Sequence, residues 1–390
     1  MKQIIYLDNS ATTKPAPSVV QAMMQCLENT YGNPSSVHRL GVEAEKIISQ
    51  ARNEVADILK VKPKEIVFTS GGSESNNLAI KGAAYSLSNR GKHIITTEIE
   101  HPAVLNVCRQ LEEEGFKITY LPPDNEGVIR TRDFQDALQE DTVLVSTMYV
   151  NNETGAIQPL EEIAKVIKRA RSGKKTPVWH VDAVQALGKV PLYPKKLGID
   201  LLSLSAHKVH GPKGVGALFV AEGTPLKPQI AGGGQEMGLR SGTENVPAIA
   251  GFGAAVSRLK KEAARNSEHM AALKKMLVEG VLKNIPDTRL NGPPVGSNSS
   301  APHIANISFI GVRGEVLLHY LEQQGIYTST GSACSSRKTE EQRVLKSMGL
   351  SAKEMDGALR FSFCAENTAE EVKIVLNKLQ ECVKELRSFG

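Results

Sequence analysis

The sequence predicts an α/β fold with a mostly parallel central sheet, followed by a smaller α+β unit. Seven short β-rich runs alternate with helical patterns, and several of the runs are apolar on both faces, as in a parallel sheet covered by helices. Near residue 260 the pattern changes to one long charged helix. With 390 residues the chain is longer than one typical domain. We therefore expect an N-terminal segment over residues 1–14 that packs with the small domain, a large domain over residues 15–260 and a small domain over residues 261–390.

The predicted strands and helices follow from hydrophobic periodicity. In chain order the strands are EIVFTS, HIITTE, KITYLP, TVLVSTMYV, VWHVDA, LLSLSA and GALFV. VEAEKIISQARNEVADILK is typical of an amphipathic helix, and SRLKKEAARNSEHMAALKKMLVEGVLKNI predicts the long charged helix. Thr368 and Glu371 form a capping-box signature at the start of the last helix, whose apolar stripe runs from Val372 to Leu386.

Composition argues against several classes of protein. The formal net charge of +5 is spread over the whole chain, so a nucleic-acid-binding surface is not predicted. No apolar run reaches the roughly 18 residues of a membrane span, and the N-terminal apolar stretch is too short for a signal peptide. Five widely spaced cysteines without a C-x-x-C pair argue against a disulfide framework and against a zinc or iron–sulfur ligand set. These features favour a reducing cytoplasm.

Two predicted strand ends carry polar groups suited to an anionic cofactor. FTSGGSESNNLAI runs from a strand through Gly71, Gly72 and Ser73 into a helix, which favours a phosphate cradle, although an ordinary glycine-rich turn has the same pattern. In VWHVDAVQALG, Asp182 could hold a proton on a heteroaromatic nitrogen and Gln185 could donate to an oxygen. A helix N-cap is the alternative role for Asp182.

A third strand end presents a lysine. In LLSLSAHKVHGPKG, Lys208 directly follows Ser-Ala-His, where poor solvation of the amine would favour a Schiff base. A solvated loop lysine is the alternative. A phosphate cradle, an aspartate and a strand-end lysine, in this order, are together what pyridoxal 5'-phosphate (PLP) requires.

The sequence resembles the NifS/IscS-type cysteine desulfurases, which are PLP enzymes of aminotransferase class V with the fold type I architecture. The similarity extends over almost the whole chain. It is carried by the order and spacing of YLDNSATT, YGNPSSVHRLG, FTSGGSESNNLAI, TEIEHPAVL, VNNETGAIQP, HVDAVQALGK, SAHKVHGPKGVGAL, GGGQEMGLRSGTEN, GSACSS and LRFSF.

The resemblance implies a role for each matching residue. Lys208 would bind PLP covalently, and His101 would stack on the cofactor ring and shuttle protons. Asp182 would pair with the pyridine nitrogen and Gln185 with the ring hydroxyl. The remaining implied ligands are Gly72, Ser73, Ser205, His207 and a second subunit's Thr243 for the phosphate, and Asn152 and Arg360 for the substrate carboxylate, with Asn152 also near the cofactor.

The resemblance also implies that Cys334 is the nucleophile that removes sulfur from L-cysteine, leaving L-alanine. We expect GSACSS to form a mobile loop, because small residues allow a thiol to reach the cofactor and then present its persulfide to a partner. The implied partners are a second copy of the chain and a sulfur acceptor, for which an iron–sulfur scaffold, a tRNA-thiolation enzyme and a cofactor-biosynthesis protein are all open. Neither direct nucleic-acid binding nor membrane binding is expected.

Departures from the family pattern and rival functions remain at this point. Cys364 stands where a glycine is common in the family, and either a packed hydrophobe or a second redox-sensitive thiol fits it.

A selenocysteine lyase or a small-substrate aminotransferase would share the scaffold. A non-catalytic sulfur carrier or iron–sulfur scaffold protein would instead need clustered cysteines and would not need Lys208 or Asp182.

Overall fold

The computed structural model describes residues 4–174, 176–330 and 342–388. The strands are β1 (Ile5–Tyr6), β2 (Ile66–Thr69), β3 (His93–Thr97), β4 (Lys117–Leu121), β5 (Thr142–Met148), β6 (Val178–Asp182), β7 (Leu201–Ser205), β8 (Gly216–Val220), β9 (Thr288–Asn291), β10 (Ile304–Phe309), β11 (Ile326–Tyr327) and β12 (Ala358–Ser362). The helices are α1 (Pro17–Asn29), α2 (Arg39–Leu59), α3 (Gly72–Leu87), α4 (Pro102–Glu113), α5 (Thr131–Ala137), α6 (Leu160–Arg171), α7 (Pro194–Leu197), α8 (Val246–Asn284), α9 (Gly314–Gln323), α10 (Arg343–Ser347), α11 (Ala352–Asp356) and α12 (Ala369–Ser388).

A seven-stranded sheet forms the centre of the larger unit. Its order is β2-β8-β7-β6-β5-β3-β4, and only the pairings of β8 with β2 and β7 are antiparallel. Alternate strand residues face two different cores, as Ile94 and Ile95 do, because successive side chains of a strand point to opposite faces. The predicted α/β fold with its mostly parallel sheet is therefore confirmed, and each of the seven predicted runs contains one of these strands.

A second, smaller unit contains an antiparallel sheet in the order β12-β10-β9 and a parallel pair, β1 with β11. Its apolar core includes Ile5 and Leu7 from the start of the chain and residues of α9 and α12. The predicted capping box of α12 is confirmed, since Glu371 N donates to Thr368 Oγ1 at 3.2 Å and Thr368 N donates to Glu371 Oε2 at 3.0 Å.

Helix α8 passes through the predicted domain boundary. Its residues up to Leu259 pack in the core of the larger unit, whereas Met270 to Val281 pack in that of the smaller unit. The helix begins at Val246, well before the charged run that predicted it, because the side chain of Asn245 caps it through Ala248 N at 3.2 Å. The division at residues 14 and 260 stays a prediction.

None of the helices in the described part of the chain has both the length and the hydropathy that a membrane crossing requires.

Candidate active site

The polar residues singled out in the sequence converge at the carboxyl end of the parallel strands. Asp182 is the last residue of β6, Ser205 is the last residue of β7, and Lys208 ends a 3₁₀ turn that directly follows β7. Helix α3 begins at Gly72, just after β2. Ligands of α/β sheets bind at this edge, because the strands leave a crevice there that loops and helix N-termini line.

The N-terminal segment contacts the amine of Lys208. Lys208 Nζ donates to the main-chain oxygen of Ser10 at 2.6 Å and to that of Ala11 at 2.7 Å. Gln185 Nε2 donates to the same Ser10 oxygen at 2.8 Å. The motif YLDNSATT, which the sequence analysis used only for its resemblance, therefore delivers two carbonyl groups that hold the amine at the strand end.

A second lysine supports the main chain at Lys208. Lys189 Nζ donates to the carbonyl oxygen of Lys208 at 2.8 Å. Burial lowers the pKa of Lys189 to about 7, and the charge of Lys208 acts in the same direction. Sequence reasoning missed this residue, although it lies in the quoted motif HVDAVQALGK.

Asp182 is held by two hydrogen-bond donors. Asn76 Nδ2 donates to its Oδ2 at 2.8 Å, and the Val184 main chain donates to its Oδ1 at 3.0 Å. The helix N-cap alternative is wrong for this residue, because residues 184–189 form turns and not a helix. The two donors orient the buried carboxylate toward the crevice that also contains Lys208 and His101. The charges of Asp182 and Lys208 both act on the ring of His101.

His101 precedes α4 and acts as its N-cap. Its Nδ1 accepts from Ala103 N at 3.1 Å, which leaves the proton of the neutral ring on Nε2. Burial lowers the pKa of His101, and the charge of Asp182 opposes that shift. A neutral imidazole that donates at Nε2 is the expected state near neutral pH.

The start of α3 forms a cradle of suitable shape for a phosphate. Gly71 has φ +155°, and a Cβ built on it would meet nothing within 4 Å. A Cβ on Gly72 would lie 2.7 Å from Val184 Cγ2 and 3.7 Å from the Cβ of Ser205. Ser73 is exposed at the second position of the helix. Free backbone N–H groups and the helix dipole at this position favour an anion.

His207 and Thr243 are two further predicted ligands of the phosphate. His207 Nδ1 lies 3.2 Å from Thr12 Oγ1, and burial lowers the pKa of His207 to about 4, so its ring is neutral. Thr243 is exposed on the glycine-rich loop over residues 232–245. That loop is fixed to the first turn of α3 by an ion pair between Arg240 and Glu74 with an N–O distance of 2.9 Å.

Arg360 is buried in β12 at the opposite side of the crevice. Its Nη2 donates to Asp8 Oδ1 at 2.8 Å, and its Nη1 donates to the main-chain oxygen of Asn152 at 3.0 Å. Asp8 is a contact that sequence reasoning missed, although it lies within YLDNSATT. The main chains of Arg360 and Ser329 also form two hydrogen bonds. Ser329 N donates to the Arg360 oxygen at 3.2 Å, and Arg360 N donates to the Ser329 oxygen at 2.7 Å.

Cys334 lies outside the described residues, but both ends of its segment are fixed near the crevice. On one side Ser329 pairs with Arg360. On the other side Arg343 Nη2 donates to the main-chain oxygen of Glu100, the neighbour of His101, at 2.6 Å. Ser329 and Arg343, described residues on either side of this segment, thus contact Arg360 and the neighbour of His101.

Comparison with known proteins identifies the class of this protein. The family model for aminotransferase class-V matches residues 5–375. Cysteine desulfurase IscS of Clostridium botulinum is 43% identical over 390 residues, with 100% of this chain and 97% of that protein covered. A solved NifS-like protein superimposes with a TM-score of 0.91 at 40% identity, covering 98% of this chain and 100% of that one. A solved complex of SspA with cysteine gives a TM-score of 0.80 at 35% identity, covering 94% and 100%. The chain belongs to the aminotransferase class-V family, and its resemblance to NifS/IscS-type enzymes is confirmed.

The polar groups that line the crevice fit PLP, the cofactor of this enzyme. It combines an amine at Lys208, a carboxylate at Asp182, an imidazole at His101 and an anion cradle at Gly71 and Gly72. The protein is a PLP-dependent enzyme of fold type I. When bound, the cofactor supplies an electron sink for the bonds to the substrate's α-carbon.

Proposed function

We propose that this protein is a cysteine desulfurase that converts L-cysteine to L-alanine and passes the sulfur on as a persulfide. The observation that carries the proposal is the shared crevice of Lys208, Asp182 and His101, with the buried guanidinium of Arg360 beside it. Full-length similarity to cysteine desulfurases, and to an enzyme solved with cysteine, supports the choice of substrate.

Each residue of the crevice has a task that its contacts support. Lys208 would hold the cofactor and would accept a proton at Nζ, and the Asp182 carboxylate would hold the cofactor's ring nitrogen. His101 moves protons at Nε2. Arg360 binds the substrate carboxylate together with Asn152. The cradle ligands are Gly72, Ser73, Ser205 and His207, with Gln185 on the ring hydroxyl and Thr243 donated by a second subunit.

Cys334 is the proposed sulfur acceptor. Burial raises the pKa of each of the four described cysteines, to about 12 for Cys108 and Cys364, which disfavours the thiolate needed for attack on sulfur. Cys334 follows Ser329 by five residues, and an extended chain of that length spans roughly 17 Å. Because Ser329 pairs with Arg360, a thiol five residues after Ser329 is therefore within reach of the crevice.

The direct test is a product assay. PLP-loaded protein incubated with L-cysteine and a thiol reductant should release alanine and sulfide in equal amounts. Amino-group transfer from cysteine to a keto acid, with the sulfur retained in the keto-acid product, would instead identify an aminotransferase. A turnover of selenocysteine that far exceeds that of cysteine would identify a selenocysteine lyase, and a non-catalytic sulfur carrier would give no alanine at all.

Arg360→Lys is expected to lower kcat/KM for cysteine by roughly ten- to a hundredfold, which corresponds to about 1–3 kcal/mol. Arginine can keep its bonds to Asp8 and Asn152 while presenting a planar fork to a carboxylate, whereas lysine offers one point charge. Steady-state kinetics should locate the loss mainly in KM, with PLP content unchanged. Arg289→Lys, in an ion pair with Glu354 of the small unit, is the matched control. Unchanged kinetics for Arg360→Lys would show that another residue binds the carboxylate.

A homodimer is proposed for the active form. Large apolar side chains are exposed at Tyr31 (74%), Val37 (98%) and Met237 (52%), and Met237 lies on the same glycine-rich loop as Thr243. A symmetric dimer would cover such residues and bring the loop to a partner's cradle. Analytical ultracentrifugation should find a dimer, and Thr243→Val should weaken PLP retention. A fully active monomer would contradict this role of Thr243.

The sulfur acceptor is proposed to be a protein of iron–sulfur cluster assembly or of tRNA thiolation, in the cytoplasm. A thiolate of that protein would attack the outer sulfur of the persulfide on Cys334 and would release the Cys334 thiolate. Cross-linking of the persulfide form to proteins of the native cell, followed by mass spectrometry, would identify the acceptor.

A further inference from the structure

Three possible metal ligands form a cluster in the described part of the chain. His210, Cys364 and Glu366 place one ligand atom each within 4.8 Å of the others. They come from two distant parts of the chain, the turn that follows Lys208 and the segment that follows Arg360. None of the three has a role in the proposed reaction.

The tautomer of His210 leaves a lone pair directed into the cluster. The only hydrogen that a neutral ring carries is placed on Nδ1, which lies 2.9 Å from the main-chain oxygen of Lys14. Nε2 lies 3.2 Å from Glu366 Oε2. With the hydrogen on Nδ1, the lone pair of Nε2 and the Glu366 carboxylate oxygen are two acceptor atoms within hydrogen-bonding distance of each other. A cation between them would satisfy both.

The backbone holds His210 in an uncommon conformation. Its φ is +61°, in the left-handed region that side-chain-bearing residues rarely occupy. Its N–H donates to Thr13 Oγ1 at 2.7 Å, which helps to fix this conformation. The imidazole is thus pre-positioned toward Cys364 and Glu366, as a metal ligand must be.

The other two ligands have supporting contacts of the kind seen around metal sites. Cys364 Sγ interacts with the Glu366 carboxylate and with the main-chain N–H groups of Glu366 and Asn367. The second oxygen of Glu366 accepts from Arg258 at 2.9 Å. Such contacts orient the side chains that bind a metal directly, and they stabilise a coordinated thiolate. Arg258 also pairs with Glu262 at 2.9 Å, so its charge is already shared.

We propose that His210, Cys364 and Glu366 form a three-ligand zinc site that joins the segment after Lys208 to the segment after Arg360. One nitrogen, one sulfur and one oxygen ligand suit zinc, whose tetrahedral sites at bond lengths of roughly 2.0–2.3 Å need ligand atoms about 3.4–3.6 Å apart. Binding replaces the thiol proton of Cys364 by the metal and releases that proton to solvent. The exposed side of Glu366 leaves the fourth position to water and gives the ion a route of entry.

Charge balance also favours a divalent cation. With one thiolate and one carboxylate as ligands, a zinc ion gives a neutral site.

The test is a zinc titration of the PLP-loaded protein after removal of metals by a chelator. With zinc chloride against a competing chelating dye, wild type should bind one zinc per chain at this site. The Cys364→Ala and Glu366→Gln variants should bind at least about a hundredfold more weakly. His210→Asn should do the same, because asparagine tolerates positive φ while losing Nε2. Saturating zinc should raise the Tm of wild type by roughly 2–5 °C and leave that of Cys364→Ala unchanged.

Control variants separate this site from adventitious zinc on other thiols. Cys334→Ser should keep the one-zinc stoichiometry and affinity, and so should Cys26→Ala. X-ray absorption at the zinc edge should find one sulfur among four ligands. Equal affinity in Cys364→Ala and wild type, loss of zinc only in Cys334→Ser, or no zinc bound by wild type against the dye would each overturn the proposal.

Discussion

Lys208→Ala is expected to abolish alanine formation from cysteine while leaving the fold intact. The amine of Lys208 is the group that two carbonyls of residues 10 and 11 hold at the end of β7, and alanine has no atom that could replace it. Each carbonyl then loses one donor that water can substitute, so the cost in stability is modest. We expect Tm to fall by no more than a few degrees.

The measurement combines product analysis with borohydride reduction of the cofactor. Wild type should carry PLP fixed on the peptide that contains Lys208, and the variant should carry none. Lys213→Ala, at an exposed lysine of the same turn, is the matched control and should retain both properties. Lys189 offers a specific competing result, since its pKa of about 7 leaves a reactive amine beside Lys208. PLP fixed on Lys189 of wild type, with full turnover in Lys208→Ala, would refute the assignment.

Cys334→Ser is expected to stop sulfur transfer without loss of the cofactor. A hydroxyl stays protonated where a thiol can ionise, so serine is a far poorer nucleophile toward sulfur. The groups that we propose bind PLP and cysteine, at Lys208, Asp182 and Arg360, are unaffected by this change. The variant should therefore bind cysteine, as a change in the visible absorption of the cofactor, and release sulfide only at background rate.

Mass spectrometry locates the transferred sulfur directly. Wild type exposed briefly to cysteine should carry one added sulfur on the peptide that contains Cys334. Cys26→Ala and Cys382→Ala are the controls, because both thiols are buried in helices, in α1 and α12, and should leave turnover largely intact. An added sulfur on Cys364 together with an active Cys334→Ser would overturn the mechanism.

Hydrophobic patterning along the chain was enough to predict the class of fold and the principal reactive groups. Strands β2 to β8 are short apolar runs, and hydrophobic periodicity depends on neighbouring residues alone, so it can be read along the chain. Lys208 and Asp182 could be predicted for the same reason, because Asp182 ends one such strand, Lys208 lies three residues after another, and the ends of parallel strands share one edge.

The distant groups that complete the site could be identified only in the folded protein. The carbonyls of Ser10 and Ala11 meet Lys208 across nearly two hundred positions, and Asp8 meets Arg360 across 352. The cluster of His210, Cys364 and Glu366 was likewise invisible to cysteine spacing, which had argued against any zinc ligand set. Each of these contacts depends on the path of the N-terminal segment from β1 to the strand ends, or on where β12 ends. Such long-range placement is set by the packing of whole units, and no local pattern of residues encodes it.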